Sequence, residues 1–144
     1  MFKKILLPTD GSELSLKAIQ GGIEFAKALM ASVVGVTVVE PYSYSSLSEY
    51  RPESLDAYEQ RMMKVAAERL GKVTEAAARG SVQVETVTTQ SFSPYEAIID
   101  AARDKGCDVI FMASHGRRGL SAVLLGSETQ KVLTHSKIPV MVYR

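Results

Sequence analysis

The residues best suited to chemistry lie in one stretch of the chain, residues 108–129. Ser114 and Gly116 follow an apolar run in this stretch, and Gly126 and Ser127 come later. Glycine lets backbone N–H groups face outward without a Cβ in the way, and the first N–H groups of a helix lack partners within it. A helix that begins at Gly126 and Ser127 would therefore offer a binding site for a phosphate group.

Positive charge accompanies this loop. Arg117 and Arg118 lie inside it, and guanidinium groups pair well with phosphate oxygens. His115 is placed where a ring nitrogen could reach an oxygen, and a role in structuring the loop is the alternative. The plain alternative for the whole stretch is a glycine-rich connection ending in a serine-capped helix, because glycines without a specific spacing are weak signals.

Familiar enzymatic signatures are missing from the sequence. It contains no Gly-x-x-x-x-Gly-Lys-Ser/Thr, Gly-x-Gly-x-x-Gly, His-Glu-x-x-His or Gly-x-Ser-x-Gly motif. No side chain is therefore clearly placed to activate water or a nucleophile.

The composition of the chain limits the remaining classes of protein. The 144 residues are 46% hydrophobic, which suits one compact domain, residues 1–144. Lys and Arg number 17 against 16 Asp and Glu, and this balance argues against nucleic-acid binding. One cysteine, Cys107, excludes an internal disulfide and fits a reducing compartment. Neither a signal peptide nor a bilayer-spanning run is recognisable, so we expect a cytoplasmic protein without membrane insertion.

Apolar runs and amphipathic segments alternate along the chain. The runs predict strands at residues 5–7, 33–39, 82–87, 109–112 and 139–143. The segments predict helices at residues 12–30, 53–80, 93–106 and 127–135, with a loop at 41–52. Polar residues interleave the third strand, which places it at a sheet edge. Such alternation favours an α/β fold with an open five-stranded parallel sheet and helices on both faces.

Two helices begin with capping signals. Asp10 and Glu13 have the spacing of a capping box, and Ser12 is an equally good cap. Residues 93–96 read Ser-Pro-Tyr-Glu, which predicts a serine cap, proline at the first helical position and glutamate at the third.

The architecture predicts where a ligand would bind. In open sheets, ligands lie beyond the carboxyl ends of the strands where the winding direction reverses. If the first and fourth strands flank that reversal, residues 8–10 face residues 113–116 across a crevice. Asp10 could then accept hydrogen bonds from a ribose or hold a hydrated Mg²⁺ ion, and a plain helix cap is the alternative.

Three blocks together resemble the universal stress protein family over the whole chain. They are Ile-Leu-Leu-Pro-Thr-Asp-Gly-Ser at residues 5–12, Ser-His-Gly at 114–116 followed after nine residues by Gly126-Ser127, and Ile-Pro-Val-Met-Val at 138–142. The resemblance implies a Rossmann-like sheet of order 3-2-1-4-5. It also implies a homodimer in which the last strands, Pro139–Tyr143, meet across a twofold axis.

The resemblance further implies ATP, with Mg²⁺ or Mn²⁺. Asp10 resembles the family's ribose-side or metal-side aspartate, and Val38 the residue whose backbone meets adenine. Carried over by position, the implied nucleotide-binding residues are Pro8, Thr9, Asp10, Val38, Ala113, His115, Gly116, Arg117, Gly126, Ser127, Glu128 and Thr129.

Two residues depart from the family pattern. Ala113 stands in place of the first motif glycine, which is tolerated only if its φ is not positive. Phe92 lies in a segment where many relatives have glycine, and it could crowd the base or stack against it.

The leading hypothesis is an ATP-binding regulatory module that acts in the stress response as a homodimer. The alternatives are a slow ATPase or phosphotransferase and a dimerisation scaffold that binds no nucleotide. A regulatory protein or a transporter is the further partner that the resemblance suggests, and loop 41–52 is its expected contact.

Overall fold

A computed structural model describes residues 1–43, 53–117 and 124–144. Its strands are β1 (Lys4–Pro8), β2 (Ser32–Val39), β3 (Val84–Gln90), β4 (Val109–Ala113) and β5 (Val140–Tyr143). Its helices are α1 (Glu13–Leu29), α2 (Leu55–Gly80), α3 (Pro94–Asp104) and α4 (Ser127–His135). The loop predicted at 41–52 lies mostly outside the described residues. In the part of the chain that is described, no helix is long and apolar enough to cross a bilayer.

The strands form one parallel sheet of order β3-β2-β1-β4-β5, as predicted. The chain builds the sheet from β1 towards β3, then returns to place β4 on the other side of β1. The winding direction therefore reverses between β1 and β4. Ile5, Leu6 and Leu7 of the central strand are at most 1% exposed, because helices cover both faces.

Alternate residues of the sheet face two separate apolar cores. Ile5 and Leu7 pack with α1 and α2 on one face. Leu6 packs on the opposite face with residues of α3 and with Val132 of α4. This alternation is the two-residue period of a strand, and it puts two helices on each side of the sheet.

Glycines allow α1 and α2 to approach the sheet closely. A Cβ atom on Gly22 of α1 would lie 2.3 Å from Cδ2 of Leu7. A Cβ atom on Gly35 of β2 would lie 2.9 Å from Cγ1 of Val73 in α2. The close packing brings the α2 helix directly over the strand that leads to the crevice.

The predicted bounds of the third strand, residues 82–87, were wrong, although its place at the sheet edge is confirmed. The N–H of Val82 donates to the carbonyl of Ala77 at 2.9 Å, so this residue closes α2 instead of beginning β3. At the other end, β2 extends to Val39, which pairs with Gln90. The strand therefore begins and ends later than its own alternation suggests.

Of the two candidate caps for α1, the chain uses Ser12. Its hydroxyl accepts a hydrogen bond from the N–H of Ser15 at 3.2 Å. Asp10 lies outside the helix, and its Oδ1 atom accepts from the N–H of Ser12 at 2.9 Å. The aspartate is therefore not the cap of α1.

The predicted start of α3 is confirmed, with Ser93 at the cap position and Pro94 first in the helix, but the capping hydrogen bond expected from the serine is absent. The backbone N–H of Ser93 donates to the Ser91 hydroxyl at 3.0 Å. The N–H of Tyr95 instead donates to Oε2 of Glu128 at 2.9 Å. A carboxylate is a stronger acceptor than a hydroxyl and favours a helix N-terminus, so α4 supplies the cap of α3.

Candidate functional site

The turns that follow β1 and β4 meet at the carboxyl edge of the sheet. The Oδ2 atom of Asp10 accepts a hydrogen bond from the N–H of Arg117 at 2.8 Å. Its Oδ1 atom holds the N–H of Ser12, so one carboxylate binds both turns. The ligand crevice predicted at the reversal of winding corresponds to the region between these two turns and the start of α4, and Asp10 joins the two turns.

A glycine makes room for this carboxylate. A Cβ atom on Gly116 would lie 2.2 Å from Oδ2 of Asp10, so any larger residue would displace the carboxylate. The turn around Gly11 needs glycine for another reason, since its φ is +79°. Its N–H donates to Oγ1 of Thr9 at 3.2 Å, and that hydroxyl also contacts the Ser15 hydroxyl at 3.1 Å.

The Asp10 carboxylate is ionised at neutral pH. Burial by itself would raise its pKa. Hydrogen bonds from the side chain and N–H of Ser12 lower the pKa, and bonds from the Arg117 N–H and the Ser15 side chain lower it further. The hydrogen bonds prevail, and the pKa lies below its ordinary value. An anion therefore faces the crevice from the β1 side.

On the opposite side, the start of α4 is fastened to the end of β4. Oγ1 of Thr129 donates to the carbonyl of Ala113 at 3.0 Å, and the N–H of Gly126 donates to the carbonyl of Ser114 at 2.7 Å. A Cβ atom on Gly126 would lie 3.1 Å from Cα of His115. The helix N-terminus is therefore held rigidly against the strand end.

The first amides of α4 have no acceptor among the described residues. Within those residues, Gln130 is the first of the helix whose N–H has an acceptor, the carbonyl of Gly126 at 3.0 Å. The N–H groups of Ser127, Glu128 and Thr129 make no hydrogen bond within residues 1–43, 53–117 and 124–144. Such amides carry the positive end of the helix dipole and suit an anion.

Other groups of the predicted loop are already engaged. The N–H groups of Arg117 and Gly126 are bound by Asp10 and Ser114, so they are less available to a ligand than the amides of α4. Nδ1 of His115 lies 3.3 Å from Oγ of Ser114, at the end of its own strand. The Arg117 side chain is exposed, and Arg118 lies outside the described residues.

The backbone of Val38 faces the space beyond the end of β1. Backbone groups of successive residues in a strand point alternately to its two neighbours. The carbonyl of Val36 points to β1, because it accepts from the N–H of Thr9 at 2.9 Å. Val38 lies two residues further on and points the same way, but β1 ends at Pro8. Its N–H and carbonyl therefore face the space beyond β1, where the carbonyl accepts from Nη1 of Arg69 at 3.4 Å.

One cation at the crevice was not predicted. Nη1 of Arg69, in α2, lies 3.4 Å from the carbonyl oxygen of Val38 and 3.3 Å from Oγ1 of Thr37. Burial lowers the pKa of its guanidinium, repulsion from Arg117 lowers it further, and Asp10 opposes both. A signal was present in the sequence, since position 69 falls on the apolar stripe of the helix yet carries a charge.

The structure describes both departures from the family pattern. Among the described residues, the non-glycine positions with positive φ are Met30 and Ser81, so Ala113 has an ordinary backbone conformation. The condition for alanine at this position is met. The Phe92 side chain is 64% exposed and packs into neither core.

The doubly wound sheet and its crevice define a Rossmann-like α/β domain. The model of the universal stress protein family matches residues 1–144, and the chain belongs to that family. It is 33% identical over 149 residues to the universal stress protein YxiE of Bacillus subtilis, covering 100% of both chains. It is 31% identical over 144 residues to the universal stress protein MJ0531 of Methanocaldococcus jannaschii, covering 100% of this chain and 83% of the relative.

Solved structures have the same fold. That of protein MJ0577 of Methanocaldococcus jannaschii superposes with a TM-score of 0.82 at 28% identity, covering 99% of this chain and 95% of that one. A universal stress protein in complex with cAMP superposes with a TM-score of 0.70 at 21% identity, covering 99% and 97%. One from Archaeoglobus fulgidus in complex with dAMP gives 0.68 at 16% identity, covering 100% and 98%. Some structural neighbours therefore bind adenine nucleotides.

Proposed function

We propose that this protein binds ATP in the crevice and acts as a regulatory module of the stress response. The observation that carries the proposal is the convergence of three kinds of group on one crevice. They are the amides of α4 that have no acceptor among the described residues, the ionised Asp10 and the backbone of Val38. The neighbours that bind cAMP and dAMP support a purine nucleotide as the ligand.

The phosphates belong at the start of α4. The amides of Ser127, Glu128 and Thr129 are the donors, with the Ser127 hydroxyl and the Arg117 side chain beside them. Gly116 and Gly126 carry no side chain, and a Cβ atom at these positions would come close to Asp10 and His115, respectively. A partial positive charge and an exposed guanidinium are suited to an anion of several charges.

Adenine and ribose belong towards β2. The Val38 N–H can donate to N1 of adenine, and its carbonyl can accept from the 6-amino group once the Arg69 guanidinium, 3.4 Å away, moves aside. Asp10, with Pro8 and Thr9 behind it, faces the ribose hydroxyls from the end of β1. Each carboxylate oxygen of Asp10 retains a second lone pair, which can accept from a hydroxyl.

A divalent cation would depend on the nucleotide for most of its ligands. Among the described residues, no group of three or more His, Cys, Asp or Glu side chains could hold a metal ion. Mg²⁺ is commonly bound by one or two carboxylates together with phosphate oxygens and water. Asp10 fits that role, and Mg²⁺ or Mn²⁺ there would neutralise phosphate charge.

Proline at position 127 tests the phosphate seat. Ser127 is the first residue of α4, where the fixed φ of proline suits a helix, and Gly126 has φ −69° and ψ 159°, which the residue before proline prefers. Ser127→Pro should thus fold while losing one amide. Ser127→Ala is the matched control, because it removes the hydroxyl but keeps the N–H.

Isothermal titration with MgATP reports the outcome. We expect binding by the wild type, a loss of about tenfold or more in Ser127→Pro, since a hydrogen bond to a charged group contributes about 1.5–3 kcal/mol, and a smaller loss in Ser127→Ala. Equal affinities in all three proteins would show that the start of α4 does not bind the phosphates. No heat at millimolar MgATP would refute nucleotide binding itself.

A homodimer through β5 is part of the proposal. β5 is an edge strand of the sheet, and edge strands offer unpaired N–H and carbonyl groups to another chain. Its Met141 is 37% exposed, and a lysine there should leave a monomer in light scattering. Met63 of α2, 71% exposed, is the control position, where lysine should leave the dimer intact.

The proposed location and regulatory role follow from the nucleotide site and the dimer. We place the protein in the cytoplasm, where its single buried thiol suits a reducing environment. ATP in the crevice would alter the dimer or a surface that faces a regulatory protein or a transporter. A dimer whose partner binding is the same with and without MgATP would contradict this role.

A further inference from the structure

One residue, Glu128, belongs both to the start of α4 and to the cap of α3. We infer that its side chain couples the proposed nucleotide site to α3, so that phosphate bound at α4 strengthens the cap of α3. The inference rests on the proposed function, because the N–H of Glu128 is one of the proposed phosphate donors. It identifies α3 and the exposed Phe92 before it as a surface that responds to the nucleotide.

Both oxygens of the Glu128 carboxylate are bound. Oε2 accepts from the N–H of Tyr95, in the first turn of α3, at 2.9 Å, and Oε1 lies 3.3 Å from Nζ of Lys131. The backbone N–H of Glu128 has no acceptor among the described residues. Because both groups belong to one residue, a ligand that fixes the backbone of Glu128 also fixes the acceptor for α3.

The ring of Tyr95 also contacts α4. Nζ of Lys131 lies 5.6 Å from the centre of this ring, and the centre of the His135 ring lies 5.0 Å from it. Glu128, Lys131 and His135 follow one another at intervals of three and four residues, so they lie on one face of α4. The start of α3 therefore depends on the position of α4.

The local capping groups of α3 are engaged elsewhere. The Ser93 side chain makes no capping hydrogen bond, and its N–H donates to the Ser91 hydroxyl. The Glu96 carboxylate accepts from the hydroxyl of Tyr95. The acceptor for the Tyr95 N–H thus comes from a residue 33 positions further along the chain.

Bound phosphate should strengthen this cap for two reasons. Helix ends fray, and an anion on the first amides of α4 holds the first turn of the helix together. The phosphate charges also repel the Glu128 carboxylate, which disfavours conformations in which the side chain turns towards the crevice. Both effects keep the carboxylate at Tyr95. By thermodynamic linkage, the intact cap strengthens nucleotide binding by the same factor.

Two substitutions at position 128 separate the acceptor from the charge. Glu128→Gln removes the charge and keeps an oxygen that can accept from the Tyr95 N–H, whereas Glu128→Ala removes both. The change in net charge is the same, so it cancels in the ratio of the two affinities. Glu96→Gln and Glu96→Ala form the matched control pair, because Glu96 is an exposed glutamate next to Tyr95. Thermal unfolding by circular dichroism shows whether each variant is folded.

Isothermal titration with MgATP gives the first result. We expect Glu128→Gln to bind about threefold or more tightly than Glu128→Ala, since the two differ by one hydrogen bond, and the two Glu96 variants to bind equally. Equal affinities of the Glu128 variants overturn the inference. An equally large ratio in the Glu96 pair also overturns it, because any change near Tyr95 would then have the same effect.

Hydrogen exchange measured by mass spectrometry, with and without saturating MgATP, gives the second result. In the wild type and in Glu128→Gln, the amides of residues 94–101 should exchange more slowly when MgATP is bound. In Glu128→Ala this slowing should disappear, although residues 127–135 are still protected. Residues 70–79 of α2 are the control for general stabilisation. Slowing in α3 that persists in Glu128→Ala, or that is equally large in α2, contradicts the coupling.

The proposed function and the coupling fail separately. If the wild type binds no MgATP at millimolar concentration, nucleotide binding itself is wrong and the inference falls with it. If the wild type binds MgATP and the two Glu128 variants bind it equally, only the coupling is wrong.

Discussion

The carboxylate of Asp10 and the backbone N–H of Arg117, 107 positions apart in the chain, are joined by a hydrogen bond of 2.8 Å. The bond links the turn after β1 to the turn after β4, where the winding of the sheet reverses. Because the second oxygen of the same carboxylate holds the N–H of Ser12, the shape of the crevice depends on one ionised side chain.

Asp10→Asn should destabilise the protein by about 1–3 kcal/mol, because an amide has one acceptor oxygen and would turn its NH₂ towards a backbone donor. Urea unfolding followed by circular dichroism measures the difference. Asp104→Asn is the control: its carboxylate lies on the surface of α3 and pairs with exposed Arg103, so we expect a change below about 1 kcal/mol. Equal effects in the two variants would contradict the linking role of Asp10.

The contribution of Asp10 should depend on pH. Its pKa is lower in the folded protein than its ordinary value of 3.8, so the folded state holds fewer protons than the unfolded state between those two values. The stabilisation is therefore present above pH 3.8 and is lost as the pH falls through the folded pKa. The stability difference between the wild type and Asp10→Asn should shrink below about pH 4, and a difference that stays constant from pH 7 to pH 3 would argue against it.

Two glycine-to-alanine variants should act in opposite directions. In Gly116→Ala the new Cβ would lie 2.2 Å from Oδ2 of Asp10 and displace the carboxylate, which costs about 1–3 kcal/mol. Gly71→Ala places its Cβ in open space on α2 and should stabilise by about 0.5–1 kcal/mol. A double-mutant cycle adds a check, since Gly116→Ala should cost much less once Asp10→Ala has removed the carboxylate.

The Cys107 thiol should be unreactive in the folded protein. Burial raises its pKa from 9.0 to about 11, with smaller and partly opposing effects from nearby charges, and the residue is 5% exposed. Because the thiolate is the reactive form, a two-unit rise lowers its population about a hundredfold at pH 8. A disulfide reagent should label the native chain at least that much more slowly than the chain in concentrated urea. Similar rates would show that the start of β4 opens readily.

The order of the sheet was predicted from the family resemblance, whereas the burial of single strands was predicted from their own residues. Ile5, Leu6 and Leu7 form a run with no polar face, which only a strand buried on both sides accommodates. The end of β3 was not predictable in the same way, because it is set by the length of its partner. Val39 of β2 pairs with Gln90, and no local pattern in β3 reveals how far that partner extends.

The crevice was predictable where it depends on strand ends and unpredictable where it depends on helix packing. The position of Asp10 beside the turn after β4 follows from topology, since the carboxyl ends of adjacent parallel strands lie together. Arg69 reaches Val38 only because α2 packs closely over β2, which is a tertiary property. The use of the Arg117 N–H by Asp10 likewise depends on the path of a turn.

The N-terminus of α3 is capped by Glu128 of α4 and not by the neighbouring Ser93, and mutation can test this. Glu128→Ala removes the carboxylate that accepts from the Tyr95 N–H at 2.9 Å and should cost about 0.5–2 kcal/mol. Hydrogen exchange of the amides in α3 should become faster. Glu96→Ala is the control, because the Glu96 carboxylate accepts from the Tyr95 hydroxyl and closes no capping box. If Glu96→Ala loosens α3 and Glu128→Ala does not, the local capping box predicted from Ser93 and Glu96 is the true cap.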